Sequence, residues 1–271
     1  GWHPDGWLVT GFGYHDVGAA GVVHTIAGWF AFGVLLNLGP RIGKYNEDGT
    51  ANEIEGHSLI SSFIGLLMLI VGFFGFLGGC LIWAGSDLGG WINIYGAPAT
   101  LSSFAFNTLM GLSGGMIGAF WYSKGNPFWM MSGGLAGIFI CAGGLDIWYP
   151  GFAFVLGVVG GIVIIPANNW LHNTFKIDDC VGAVSVHGVA GILGVLMVGI
   201  FASGYPASGD IPPTSFVGQL VGVITMIALG FIPGYVISLL MKSIGWLRVP
   251  DSVQLAGIDS AELGLKAYAD K

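Results

Sequence analysis

The chain has 271 residues, of which 54% are hydrophobic and only 8% charged, with a net charge of −7. Soluble domains carry about a quarter charged residues, so a soluble fold is excluded, and an acidic balance without a basic patch excludes a nucleic-acid partner. A mean hydropathy of +0.78 together with 49 glycines points to an integral membrane protein whose helices approach closely. The cysteines Cys80, Cys141 and Cys180 fall in or beside apolar stretches and show neither metal-ligand spacing nor a disulfide framework.

Seven segments are long and apolar enough to cross a bilayer, which takes about 20 helical residues. They run near 14–36, 57–86, 98–123, 127–146, 150–171, 180–203 and 214–241. The turn-bounded alternation of a membrane barrel is absent, so strands are not expected. Ahead of the first segment stand Trp2 and Trp7, placed either for an interfacial belt or for attracting a cation to an aromatic face. The first segment itself carries Asp16 and His24. Gly39-Pro40 and the run from Asn46 to Gly56 break the chain before the second segment, whose far half reads Gly75-Phe76-Leu77-Gly78-Gly79-Cys80. Its glycines allow close backbone approach, and Phe76 could plug a pore or simply pack. Gly125-Asn126-Pro127 separates the third and fourth segments, and Ser208 to Pro213 separates the sixth and seventh. The sixth opens on Asp178-Asp179-Cys180 and carries His187. Residues 1–244 therefore read as the transmembrane domain and 245–271 as a cytoplasmic tail, with one short amphipathic turn at Ser260-Ala261-Glu262.

The first and sixth segments share a pattern. Aligned on His24 and His187, both have Asp at −8 (Asp16, Asp179), Ala at −4, Val at −1, Ala at +3 and Gly at +4. An ionisable side chain inside an apolar span is costly and marks function more often than packing. Two in matching contexts suggest one shared site. Neutral imidazoles can hold one donor and one acceptor toward each other, so such a pair could line a path, bind a small polar molecule or relay a proton. The plainer alternative is two histidines bonded to backbone carbonyls. For Asp16 and Asp179 the favoured reading is helix capping. Asp178 and Asp146 have weaker claims.

All eight cations, Arg41, Lys44, Lys124, Lys176, Lys242, Arg248, Lys266 and Lys271, fall after odd-numbered segments or in the tail. The positive-inside rule then places the N-terminus outside and the C-terminus in the cytoplasm. The histidine segments would run in opposite directions, as in an inverted repeat with its site near the midplane. A retinal protein is excluded, because the seventh segment has no lysine before Lys242.

The stretch Asp16-x7-His24 with Ala27-Gly28, the loop Leu38-Gly39-Pro40-Arg41-Ile42-Gly43, Gly56-His57-Ser58, Gly75-Phe76, Asn107-Thr108, Asp178-Asp179 through His187-Gly188-Val189, and Ala256-Gly257-Ile258-Asp259 resemble the Amt/Mep/Rh ammonium transporters, the Amt branch in particular. The resemblance covers essentially the whole chain. It implies an all-α integral membrane bundle, here helices five to eleven of an expected eleven, and the Gly-Trp-His-Pro opening fits a sequence that lacks an upstream part. By the same resemblance His24 and His187 are the twin pore histidines and Phe76 a gate aromatic. Trp2 helps recruit the cation, Cys80 stands where a recruiting serine is usual, and Asp16 is a structural aspartate. The implied partners are ammonium or ammonia, the lipid bilayer, two further copies in a homotrimer, and a P-II-type regulator at the tail. No cofactor and no enzymatic activity are implied. Leu77-Gly78-Gly79-Cys80 departs from the family's Asn-x-Gly-Ser, Cys141-Ala142-Gly143-Gly144 from a Thr-Pro turn, and the tail after Asp259 from its usual pattern. The expected function is an ammonium channel or transporter. The alternatives are an Amt-like sensor that binds without transport and signals to a partner, or a non-conducting fragment.

Overall fold

A computed structural model describes residues 2–88, 90–205 and 211–265; Ser208, Lys266 and Lys271, used in the sequence reading, lie outside the described residues. Most of the apolar length is helical. After a short α1 (Trp7–Phe12), a π-helical turn (Ala20–Thr25) runs directly into α2 (Ile26–Leu38). Then come α3 (Leu59–Gly78), a hairpin of β1 (Leu81–Gly85) and β2 (Gly90–Asn93), α4 (Leu101–Tyr122) and α5 (Pro127–Ala142). Next are α6 (Pro150–Trp170), with its own terminal π turn Leu171–Phe175, and a third π turn (Val184–Val189) leading into α7 (Ala190–Phe201). Finally α8 (Phe216–Ser243) is followed by α9 (Asp251–Ala256) and α10 (Ile258–Glu262).

Several helix starts are set by side-chain caps in the polar connections. Ser58, Thr100, Asn126 and Ser215 accept from the backbone N–H groups of Ser61, Ser103, Trp129 and Gly218, satisfying donors that a helix N-terminus leaves unpaired. Among the described residues five helical stretches are long and apolar enough to cross a membrane: Ala20–Leu38, Leu59–Gly78, Pro150–Phe175, Val184–Phe201 and Phe216–Ser243. Of the other two expected segments, α5 has 16 residues, and α4 is diluted by Asn107, Thr108 and three serines.

Four boundaries differ from the sequence reading. The second segment, expected to run from 57 to 86, ends as helix at Gly78, and the chain turns into the hairpin, against the expectation of no strands. Leu81, Ile82 and Trp83 suit a pleated edge and pair with Asn93, Ile92 and Trp91, with a bulge before Gly85↔Gly90. Gly85 and Gly90 have φ of 90° and 91°, values that residues with a Cβ avoid. In the first segment helix begins at Ala20 rather than near 14, because residues 14–19 bond outward to other elements. In the sixth it begins at Val184, after the Asp179 cap. Among its described residues the tail holds two helices, α9 and α10, rather than one turn. Its Gln254 accepts from the Ile42 N–H at 2.8 Å, and Arg248 donates to the carbonyls of Leu38 and Gly39.

The core lies where α4, α5 and α6 meet glycine to glycine. A Cβ on Gly111 would sit 3.0 Å from the Cys141 sulfur, and Cβ atoms on Gly115, Gly137 and Gly161 would overlap neighbouring carbonyl oxygens. That closeness suits helices in lipid, which associate by packing rather than by hydrophobic drive. α8 closes on α2 in the same way, and Asn37 Nδ2 bridges to Ser238 Oγ at 2.9 Å. α3 stands apart, burying only Leu66 and Leu77.

Candidate functional site

His24 and His187 meet. Their Nδ1 atoms are 3.2 Å apart, with ring centroids 5.4 Å apart and planes at 33°. At that distance one Nδ1 donates and the other accepts. His24 is buried and its Nε2 has no hydrogen-bond partner among the described residues; His187 is half-buried.

Both rings sit on π-helical turns, and the repeated residues explain how. Asp16 Oδ2 accepts from Gly21 N (2.9 Å), Val22 N (3.0 Å) and the Tyr14 hydroxyl (3.0 Å), holding the first turn. Asp179 does the same for the other histidine, accepting from Ala183 N at 2.8 Å and Val184 N at 2.7 Å. Each carboxylate thus satisfies donors at a helix start. The +4 glycines let the two turns touch. A Cβ on Gly28 would overlap the Gly188 backbone, and one on Gly191 would lie 2.5 Å from the Ala20 carbonyl oxygen and 2.7 Å from Thr25 N.

The remaining expected residues spread along one side. Phe76 is 38% exposed on α3 and meets Phe73 edge-on at 6.1 Å. Both line a groove of about 680 Å³ between α3 and α5. Cys80 is buried, its thiol 3.8 Å from the Phe76 carbonyl. Trp2 is half-buried and donates Nε1–H to the Asp16 carbonyl at 2.7 Å. No hydrogen bond or ring contact among the described residues joins Trp2 to Phe76.

Two groups went largely unread in the sequence, which singled out only Asp146 among their members. Phe139 on α5 stacks on His24 (centroids 3.6 Å, 20°) and on His187 (4.6 Å, 28°), and touches Phe73 at 5.5 Å. Nothing in its apolar run distinguishes it. The second is a buried polar chain. His15 Nε2 lies 3.1 Å from both Asp146 oxygens, and Asn93 Nδ2 donates to Asp146 Oδ2 at 2.7 Å. Gln219 pairs with both the N–H and the C=O of His15. Four charged or polar residues, His15, Asn93, Asp146 and Gln219, were a legible signal, but their sequence separation hid the partnership.

At the other end a cavity of about 520 Å³ is lined by Arg41, Lys44, Asn168, His172, Asp179 and Gly182 among others. Beside it Arg41 grips Asp178 with two side-chain bonds, 2.8 and 2.9 Å, and one from its backbone N–H. Burial pushes the Asp178 carboxyl up, but these Arg41 bonds outweigh it and hold the group below the usual carboxylate range.

The model of the Ammonium Transporter Family matches residues 1–268. The chain belongs to that family. It is 32% identical over 269 residues to the ammonium transporter Amt1 of Haloferax mediterranei, covering 96% of this chain and 50% of that protein. Amt2 of Methanocaldococcus jannaschii is 29% identical over 266 residues, covering 98% and 59%. Among solved structures, a protein described as a sensor Amt protein superposes with a TM-score of 0.80 at 32% identity, covering 95% of this chain and 62% of that one. Candida albicans Mep2 superposes at 0.72 with 23% identity, covering 92% and 55%, a likeness of fold alone. The chain spans about half to three-fifths of the length of these curated relatives. Its apolar helices and its family make it a multi-pass membrane protein.

Proposed function

We propose that this protein conducts ammonium nitrogen across a membrane past the His24–His187 pair. The observation that carries the reading is the 3.2 Å contact between two Nδ1 atoms on mutually packed π turns. In this reading the cation is attracted at an aromatic vestibule formed by Trp2 and Phe76 beside Cys80, where ring faces offset part of its dehydration. Farther in, an apolar lining makes the charged form costly, so ammonia is the species that passes the imidazoles by hydrogen bonding. Asp16 and Asp179 act as caps that fix the rings. Residues 1–244 form the membrane domain, and the tail from 245 lies on the cytoplasmic side with the cations. A homotrimer and a P-II-type regulator at the tail belong to the same proposal, on family resemblance.

A second reading is favoured by two observations: the likeness to a sensor Amt protein and Leu77 and Cys80 in the stretch after Phe76. In it the same site binds ammonium without passing it. Uptake of ¹⁵N-ammonium into liposomes carrying the full-length protein separates the two. Saturable uptake above protein-free vesicles supports conduction; saturable binding with no uptake supports sensing.

A further inference from the structure

We propose that Phe139 is an interior plug that closes the histidine pair from the side of Phe76. The proposal rests on the conduction reading above. The aromatic rings form a series: Phe76 against Phe73 at 6.1 Å, Phe73 against Phe139 at 5.5 Å, and Phe139 stacked on His24 at 3.6 Å and His187 at 4.6 Å. Phe73 and Phe76 line the groove beside α3, whereas Phe139 is not among the residues that line it and is almost fully buried. Phe73 also lies 6.2 Å from His24, so Phe73 and Phe139 together stand between the groove and the imidazoles, and Phe139 is the ring stacked on both.

A ring held 3.6 Å from another is at van der Waals contact. A molecule inserted between them needs roughly twice that separation. The ring carries no group that could replace a hydrogen bond for ammonia. Passage requires it to swing aside. The backbone beneath cannot move instead: a Cβ on Gly194 of α7 would sit 2.8 Å from the Phe139 carbonyl oxygen, and one on Gly137 would overlap the Gly111 carbonyl. Opening is accordingly a side-chain rotation, and the edge contacts through Phe73 connect it to Phe76.

The test is ¹⁵N-ammonium uptake by liposomes carrying the full-length wild type, Phe139→Val, and Phe139→Val combined with His24→Ala. Removing the stacked ring raises uptake about five- to ten-fold, the rate equivalent of an aromatic stacking contact, and the His24 substitution abolishes the gain. If wild-type uptake depends on His24 but Phe139→Val leaves it equal or lower, Phe139 is a wall and the plug is overturned while conduction stands. If the wild type takes up nothing and Phe139→Val does, the plug is supported and conduction by the wild type fails. Uptake by neither overturns the plug. Should Phe139→Val fail to fold, Phe139→Leu, which keeps more bulk but no planar ring, gives the same reading.

Discussion

Replacing Gly191 with alanine tests how the histidine pair is assembled. The new methyl group would lie 2.5 Å from the Ala20 carbonyl oxygen, 2.7 Å from Thr25 N and 2.8 Å from Thr25 Oγ1. Ordinary contact is about 3.5 Å, so the start of α7 and the first π turn must separate by roughly 0.7–1 Å. Two of those contacts are to Thr25, the residue after His24, and the displacement carries the ring with it. A Nδ1–Nδ1 distance of 3.2 Å would grow to about 4 Å, beyond a hydrogen bond. Overpacking of this kind costs about 1–3 kcal/mol. Gly65→Ala is the control, because nothing lies within 4 Å of its added Cβ. Thermal unfolding in detergent and ¹⁵N-ammonium uptake are measured together. Gly191→Ala lowers both, and Gly65→Ala lowers neither. Wild-type uptake and unfolding in Gly191→Ala would refute the claim that close glycine packing sets the pair.

His15→Ala removes the ring nitrogen 3.1 Å from the buried Asp146 carboxyl and destabilises the protein by about 1–3 kcal/mol, seen as a fall in unfolding temperature; an unchanged melt means the pair contributes nothing. Asp179→Ala removes acceptors from Ala183 N and Val184 N and costs about 1–2 kcal/mol, whereas Asp179→Asn, which keeps one acceptor, costs less. The Arg41–Asp178 bridge makes stability depend on acid. Because the folded Asp178 carboxyl titrates below its ordinary value of 3.8, the contribution is complete above that value and disappears as pH falls through the lower folded one. Arg41→Ala removes this acid sensitivity, and a pH–stability profile identical to wild type would count against it.

The sequence reading reached furthest where one residue type carries an unambiguous cost. Two histidines in apolar runs, each eight residues after an aspartate, indicated a shared site, and the rings do meet. The helices were legible from hydropathy, but not their starts. Residues 14–19 look as apolar as the helix that follows, and only their bonds to Gln219, Tyr95, Gly143 and Ala142 show why they stay out of the helix. The β hairpin was hidden because Leu81, Ile82 and Trp83 continue the apolar run of α3, and hydropathy does not distinguish strand from helix over so short a stretch. Phe139 was invisible for a related reason. Its importance lies in what it stacks on, and that depends on the packing of α5 against two helices distant in sequence.

Imidazole removal tests the central claim most directly. ¹⁵N-ammonium uptake is measured for His24→Ala, His187→Ala and the double variant in the full-length protein. If the two rings work as one unit, each single change removes most of the uptake and the double variant is no worse than either, the non-additivity expected of residues in contact. Uptake that survives both substitutions, or losses that simply add, would contradict the account.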